Sequence, residues 1–311
     1  MTEFMRTMFP EYGDRCNATV CRGESYQQMF DHFPMAQPLY PFDFENSYDS
    51  TPVLLYMKNE LGYAVPIGFV IAYLLFCYFG KKAMDKQEAF KIVGALAAWN
   101  LFLSMFSTYG AIRTVPHMLH RILTHSFEDT ICEAPYTAYG AGAAGLATQL
   151  FILSKIPELV DTVFIVLRKK PLIFLHWYHH VTVLLYCWNA YVTESGAGLY
   201  FVSMNYTVHA VMYFYYFLQA IKSMPKWFPS WIITIMQISQ MIVGTFIVGA
   251  SFYFYFNGGK NYAPTECNVQ PSNLAAGGTI YASYLYLFVE FAVKRFVFGA
   301  GAPKKDKTKT L

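Results

Sequence analysis

Residues 172–192 read LIFLHWYHHVTVLLYCWNAYV. A bilayer-spanning helix needs about 20 mostly apolar residues, and this run supplies them while carrying His176, His179 and His180. At helical pitch the offsets i, i+3 and i+4 put the three imidazoles on one face within about one turn. A lone histidine in an apolar helix is commonly a satisfied core residue, but three on one face are hard to assign to packing. Ionisable groups inside a bilayer are costly, which marks each as a candidate site. This stretch indicates an all-α integral membrane protein and shows where its chemistry lies.

The same texture continues outward. Of 311 residues, 55% are hydrophobic, 19% aromatic and only 14% charged, and mean hydropathy is +0.28. Soluble domains carry about 25% charged residues, so the apolar surface is too large for a water-solvated fold. Apolar runs at Tyr63–Phe79, Phe90–Ala111, Ala138–Leu167, Gly198–Ile221, Trp231–Phe256 and Leu274–Phe298 join Leu172–Val192 to predict seven spans. The first is short unless the preceding turn joins it. The third carries charges and opens with Gly140, Gly142 and Gly145, small residues that let helices approach closely. The predicted plan is a segment over 1–62, a seven-helix domain over 63–298 and a basic tail over 299–311.

Orientation follows from lysine and arginine. With a lumenal amino terminus and a cytosolic carboxyl terminus, most of the 23 basic residues fall on the cytosolic side, as the positive-inside rule requires. Asn17-Ala18-Thr19 is then a lumenal glycosylation acceptor. Cys132 and Cys267 fall in lumenal loops, either as a disulfide, which persists there, or as two thiols. Lys307 and Lys309 resemble a dilysine retrieval signal of the endoplasmic reticulum, with a plain charged tail as the alternative. The opening segment lacks the apolar core of a cleavable signal peptide. Six cysteines without Cys-x-x-Cys spacing do not suggest a zinc or dithiol site. A net charge of +3 gives no reason to expect nucleic acid.

Three further clusters share helix faces. Asn205, His209, Met212, Tyr213 and Tyr216 form one stripe. The tyrosines and methionine alone would be core, whereas Asn205 and His209 make the stripe a polar seam. Lys155, Glu158, Asp161 and Thr162 recur one turn apart, as a site or as a structural ion-pair network. Thr234, Gln237 and Gln240 suit either ligand orientation or bonding between helices. Arg168, Lys169 and Lys170 would flank the cytosolic rim, as anion ligands or as ordinary positive-inside charges.

In order and spacing these residues resemble the ELO family of fatty acid elongases. Lys155-x-x-Glu158-x-x-Asp161-Thr162 looks like its KxxExxDT motif and His176-x-x-His179-His180 like its HxxHH box. His209-x-x-Met212-Tyr213-x-Tyr215-Tyr216 is similar to HxxMYxYY, and Thr234-x-x-Gln237-x-x-Gln240 to TxxQxxQ. HxxHH alone is a weak signal; four motifs in sequence are strong.

The resemblance implies a 3-ketoacyl-CoA synthase of the endoplasmic reticulum membrane, with six of seven helices around a narrow acyl tunnel. It would join malonyl-CoA to a long-chain acyl-CoA and use no metal or redox cofactor. His179 would be the acyl acceptor, with His176 and His180 holding its tautomer and His209 and Asn205 stabilising the enolate. Lys155, Glu158, Asp161, Tyr213, Tyr216, Gln237, Gln240, Arg168 and Lys169 would bind substrate. Candidate partners are the bilayer, a second copy of the chain, and the reductases and dehydratase of an elongation cycle. Pro171, where glutamine often marks members acting on polyunsaturated chains, leans toward saturated and monounsaturated substrates. Cys187 is a rival nucleophile, but a thiol in an apolar span stays protonated and inert. A di-iron desaturase or hydroxylase would need His117, His120 and His125 to cross the bilayer to reach the others. A seven-helix receptor or transporter would leave the histidine trio idle.

Overall fold

The computed structural model describes residues 34–225 and 227–297. Asn17 and the tail at 299–311 lie outside the described residues. Within them every regular element is helical. The principal helices are α1 (Glu60–Met84), α2 (Val93–Thr124), α3 (Gly142–Ser154), α4 (Val160–Leu167), α5 (Phe174–Val192), α6 (Gly198–Ala220), α7 (Trp231–Asn257) and α8 (Pro271–Ala292). Four stretches are long and apolar enough to cross a membrane: Gly62–Met84, Val93–Thr124, Trp231–Asn257 and Pro271–Val297. Helices α5 and α6 have 19 and 23 residues, but their histidines, asparagines and tyrosines lower their hydropathy. The protein is a multi-pass helical membrane protein.

Three predicted boundaries are corrected. The turn before Tyr63 does join α1, which begins at Glu60 with the Asn59 side chain accepting from the Gly62 N–H at 2.8 Å. Helix α2 runs on past Ala111 to Thr124, so His117 and His120 are buried on the helix rather than placed in a following loop. Arg113 and Arg121 look like loop charges in sequence, yet each is paired, with Glu45 and Glu133. The third predicted span is broken. Pro157 has no N–H to continue an α-helix, and the chain tightens there, with Lys155 N bonding Ile152 O and Ile156 N bonding Leu153 O. A 3-10 turn at Pro157–Leu159 then leads into α4.

Packing of α6 on α2 and α3 fixes the depth of its polar stripe. The Tyr206 ring lies over Gly110, where a Cβ would stand 2.2 Å from Cζ. Its hydroxyl donates to Ala147 O at 2.9 Å. Gly110 thus serves close approach, as small residues do between membrane helices. At the opposite end from the α4–α5 turn, Cys132 and Cys267 form a buried disulfide joining the α2–α3 and α7–α8 connections.

The segment before α1 is built into the bundle. Glu45 is fully buried and accepts from Arg113 Nε and Nη2 at 2.8 Å each, from Tyr109 Oη at 2.7 Å and from Phe42 N at 2.7 Å. Burial pushes its carboxyl pKa up, but the Arg113, Tyr109 and Phe42 hydrogen bonds outweigh it and hold the value below the ordinary carboxylate range. Removing one partner of a buried ion pair costs about 3–5 kcal/mol. Glu45→Ala is therefore expected to lower stability by about that amount, measured by thermal unfolding in detergent. Because the folded-state pKa is depressed, this stabilisation is complete above the unfolded pKa and is lost as pH falls through the lowered value. The wild-type acid sensitivity should shrink in the variant.

Candidate active site

Histidine packing begins on α5. The His176 and His180 ring centroids are 4.5 Å apart, and those of His179 and His180 5.6 Å apart at 87°. Next to them α4 presents Thr162, whose Oγ1 lies 2.9 Å from His176 Nε2 and 2.8 Å from the Tyr73 hydroxyl of α1. A hydroxyl carries one proton. When Thr162 donates to Nε2 it accepts from Tyr73, and His176 then holds its own proton on Nδ1. Tyr73 went unnoticed in sequence because one tyrosine in an apolar helix carries no signal among 25.

The kink at Pro157 turns two charges inward. Lys155 and Glu158 are 2% and 4% exposed, and Lys155 Nζ donates to Glu158 Oε1 at 2.7 Å. Ser154 Oγ donates to the same oxygen at 2.9 Å, and the ammonium sits 4.0 Å from the Phe151 ring centre. Lys155 Nζ also reaches Asn205 Oδ1 at 3.4 Å, while Asn205 Nδ2 faces His209 Nε2 at 3.2 Å. With its oxygen toward an ammonium, the amide can only donate to the imidazole. That leaves His209 with an Nδ1–H.

Asp161 is held from two sides, accepting from Trp99 Nε1 and Tyr213 Oη at 2.7 Å each. Trp99 of α2 is a second partner that spacing did not reveal. Gln237 Nε2 contacts Met212 Sδ at 3.3 Å, and Gln240 is buried.

These groups surround a cavity of about 630 Å³ between α2, α4, α5, α6, α7 and α8. His176, His179, His180, Asn205 and His209 all line it. So do Glu158, Asp161, Tyr213, Tyr216, Gln237 and Gln240. Arg168, Lys170 and Lys222 stand on the wall at the α4–α5 and α6–α7 turns. Two predicted ligands are elsewhere. Lys155 lies behind the wall, spent on Glu158 and Asn205. Lys169 turns away and donates to the carbonyls of Asp85 and Gln87 in the α1–α2 connection, at 3.3 and 3.0 Å. Lys222 belongs to none of the four motifs, and only the fold brings it to the cavity.

Cys187 lines a separate pocket of about 80 Å³, walled partly by Ser50, Thr51 and Leu54 of the segment before α1. It is not beside the histidines of the larger cavity. His117 Nε2 is engaged by Ala138 O at 2.9 Å, far in sequence and fold from the α5 trio. Among the described residues no group of three or more His, Cys, Asp or Glu is arranged to hold a metal ion.

The chain matches the model of the GNS1/SUR4 (ELO) family over residues 60–307. It is 38% identical over 273 residues to very long chain fatty acid elongase 6 of Drosophila melanogaster, covering 88% of this chain and 84% of that one. Fatty acid elongase 3 of Trypanosoma brucei brucei is 39% identical over 255 residues, with 74% and 83% covered. Very long chain fatty acid elongase 6 of Gallus gallus is 35% identical over 259 residues, with 83% and 94% covered. A family match that spans the principal helices, together with relatives that align along most of their own length, makes this chain a member of the GNS1/SUR4 (ELO) family.

Proposed function

We propose that the protein is the condensing enzyme of fatty acid elongation, extending a long-chain acyl-CoA with malonyl-CoA. The observation that carries this is the pair His179 and His209, on different helices, lining one cavity with basic residues at its end. Arg168, Lys170 and Lys222 take the phosphates of CoA, and the apolar chain enters between the helices. Seven spans, six of them around an acyl tunnel, are the arrangement that gives the chain such a path. The α1, α2, α7 and α8 stretches are four of the spans, the kinked α3–α4 pair is one, and α5 and α6 complete them.

His179 attacks the thioester carbonyl through an unprotonated ring nitrogen. The C–S bond breaks, the imidazole N–H proton passes to the departing thiolate, and CoA-SH leaves an acyl-imidazole. Malonyl-CoA then loses carbon dioxide, and the electron pair of the broken C–C bond becomes an enolate. The Nδ1–H of His209 donates to the enolate oxygen, a placed donor of the kind that lowers such barriers. The enolate carbon displaces the imidazole to give 3-ketoacyl-CoA, and one solvent proton restores neutral His179. A water-poor cavity protects the acyl-imidazole from hydrolysis. No metal or redox cofactor enters. The support is that His176 and His209 are already engaged by Thr162 and Asn205.

The same proposal puts the amino terminus and the disulfide in the lumen of the endoplasmic reticulum and the carboxyl terminus in the cytosol. Arg168, Lys170 and Lys222, at the cavity end, are then cytosolic, where acyl-CoA is available. The reductases and dehydratase of the cycle would take the product. The purified chain given radiolabelled malonyl-CoA and a panel of acyl-CoA lengths should yield 3-ketoacyl-CoA and carbon dioxide. Substrate-dependent binding without product at any length would move the chain to a lipid-binding role.

A further inference from the structure

We propose that Tyr284, on α8 and outside all four motifs, is a positioning residue that sets the angle of the His179 imidazole. The proposal rests on His179 being the acyl acceptor and adds what holds it.

Among the described residues no side chain bonds to the ring nitrogens of His179. The torsion that turns a histidine ring is broad and roughly two-fold, so an imidazole without such a bond takes its angle from packing. Two rings flank it. One is His180. The other is Tyr284, with centroids 5.1 Å apart and planes at 41°.

Tyr284 is itself firmly held. It is 3% exposed, and its hydroxyl lies 2.5 Å from Thr182 Oγ1 and 3.2 Å from His179 O. Thr182 donates its proton to Tyr178 O at 2.7 Å, so the Tyr284 hydroxyl is the donor to Thr182. With its one proton on Thr182, one turn beyond His179 on α5, the Tyr284 side chain is fixed at the hydroxyl while its ring packs on the His179 imidazole. It does not line the large cavity, whose α8 wall is Phe288 and Phe291. Tyr284 therefore faces the cavity only through His179. Its neighbour Ser283 bonds the Tyr178 hydroxyl at 3.0 Å, a contact of α8 with α5 that leaves His179 untouched.

Misplacing a reacting atom by about 1 Å can cost about 10²-fold in rate. The test uses the full chain in lipid nanodiscs with palmitoyl-CoA and no malonyl-CoA, following release of the CoA thiol. Tyr284→Leu is expected to slow acyl capture roughly 10- to 100-fold, with half-saturation by palmitoyl-CoA within about threefold of wild type. Tyr284→Phe keeps the ring and should retain the rate within about threefold. Ser283→Ala should leave it unchanged. Thermal unfolding of all three is followed in parallel, and Tyr284→Met, which fills more of the gap, replaces Leu if that variant does not fold.

Capture by folded Tyr284→Leu within about twofold of wild type would overturn the proposal. So would an equal fall in Tyr284→Phe, which would assign the effect to the hydroxyl, or in Ser283→Ala, which would assign it to the helix contact. His179→Ala separates the two levels. Acyl capture persisting there removes the nucleophile assignment and this proposal with it. Capture lost there but normal in Tyr284→Leu removes this proposal alone.

Discussion

His179→Ala is expected to abolish acyl capture and to lower overall condensation on the order of 10³-fold or more, with the fold intact. The side chain is only half-buried at the cavity wall, so its loss widens an existing space and leaves no buried charge unpaired. Neither neighbouring imidazole is placed to substitute. His176 has its Nε2 on Thr162, and His180 is 6% exposed, packed between His176, His179 and the Tyr73 ring. Intact-protein mass spectrometry after exposure to acyl-CoA reads the result directly. An acyl adduct on the alanine variant would put the nucleophile on another residue. Cys187 is the first to examine, although the small pocket holding it is separate.

The second large effect is at Lys155 and Glu158. Either one replaced by alanine leaves its partner charged, buried and uncompensated, at a cost of about 3–5 kcal/mol. Lys155→Ala and Glu158→Ala are expected to unfold or to accumulate poorly. An apolar pair of similar volume, Lys155→Met with Glu158→Leu, restores stability, since such replacements are often neutral or stabilising. It should not restore condensation. Lys155 fixes which way the Asn205 amide faces, and Asn205 in turn sets the proton on His209. The double variant is therefore expected to be folded, to take up acyl groups from acyl-CoA, and to stall with malonyl-CoA. Normal turnover in it would make the ion pair purely structural.

The parts of the site that could be read in sequence share a physical cause. His176, His179 and His180 recur at helical offsets inside an apolar run, and Asn205 with His209 interrupts a stripe that would otherwise be core. A polar residue in a greasy helix stands out, and the helix period says which neighbours share its face. Tyr73, Trp99 and Tyr284 were invisible for the opposite reason. Each is a single aromatic residue where aromatics are common, and each acts across a contact between helices distant in sequence. The boundary errors also have a cause. The predicted second span stopped at Ala111, which left Arg113 and Arg121 on the lumenal side, where an unpaired arginine can stay in water. Their carboxylate partners come from Glu45, in a segment that carried no sequence signal, and from Glu133. Lys169 and Lys170 show the same limit, since equally plausible rim charges diverge once the turns are formed.

Helices α5 and α6 carry the imidazoles, and neither belongs to the strongly apolar set. Polar side chains reduce what a nascent helix gains by leaving the translocon for lipid, and α4 offsets part of that cost by bonding His176 of α5 through Thr162 and Tyr213 of α6 through Asp161. Insertion of α5 and α6 is thus expected to depend on α4 being synthesised first, as the chain order provides. The side chains that would do the chemistry are then the ones that make their helices lean on a neighbour to enter lipid.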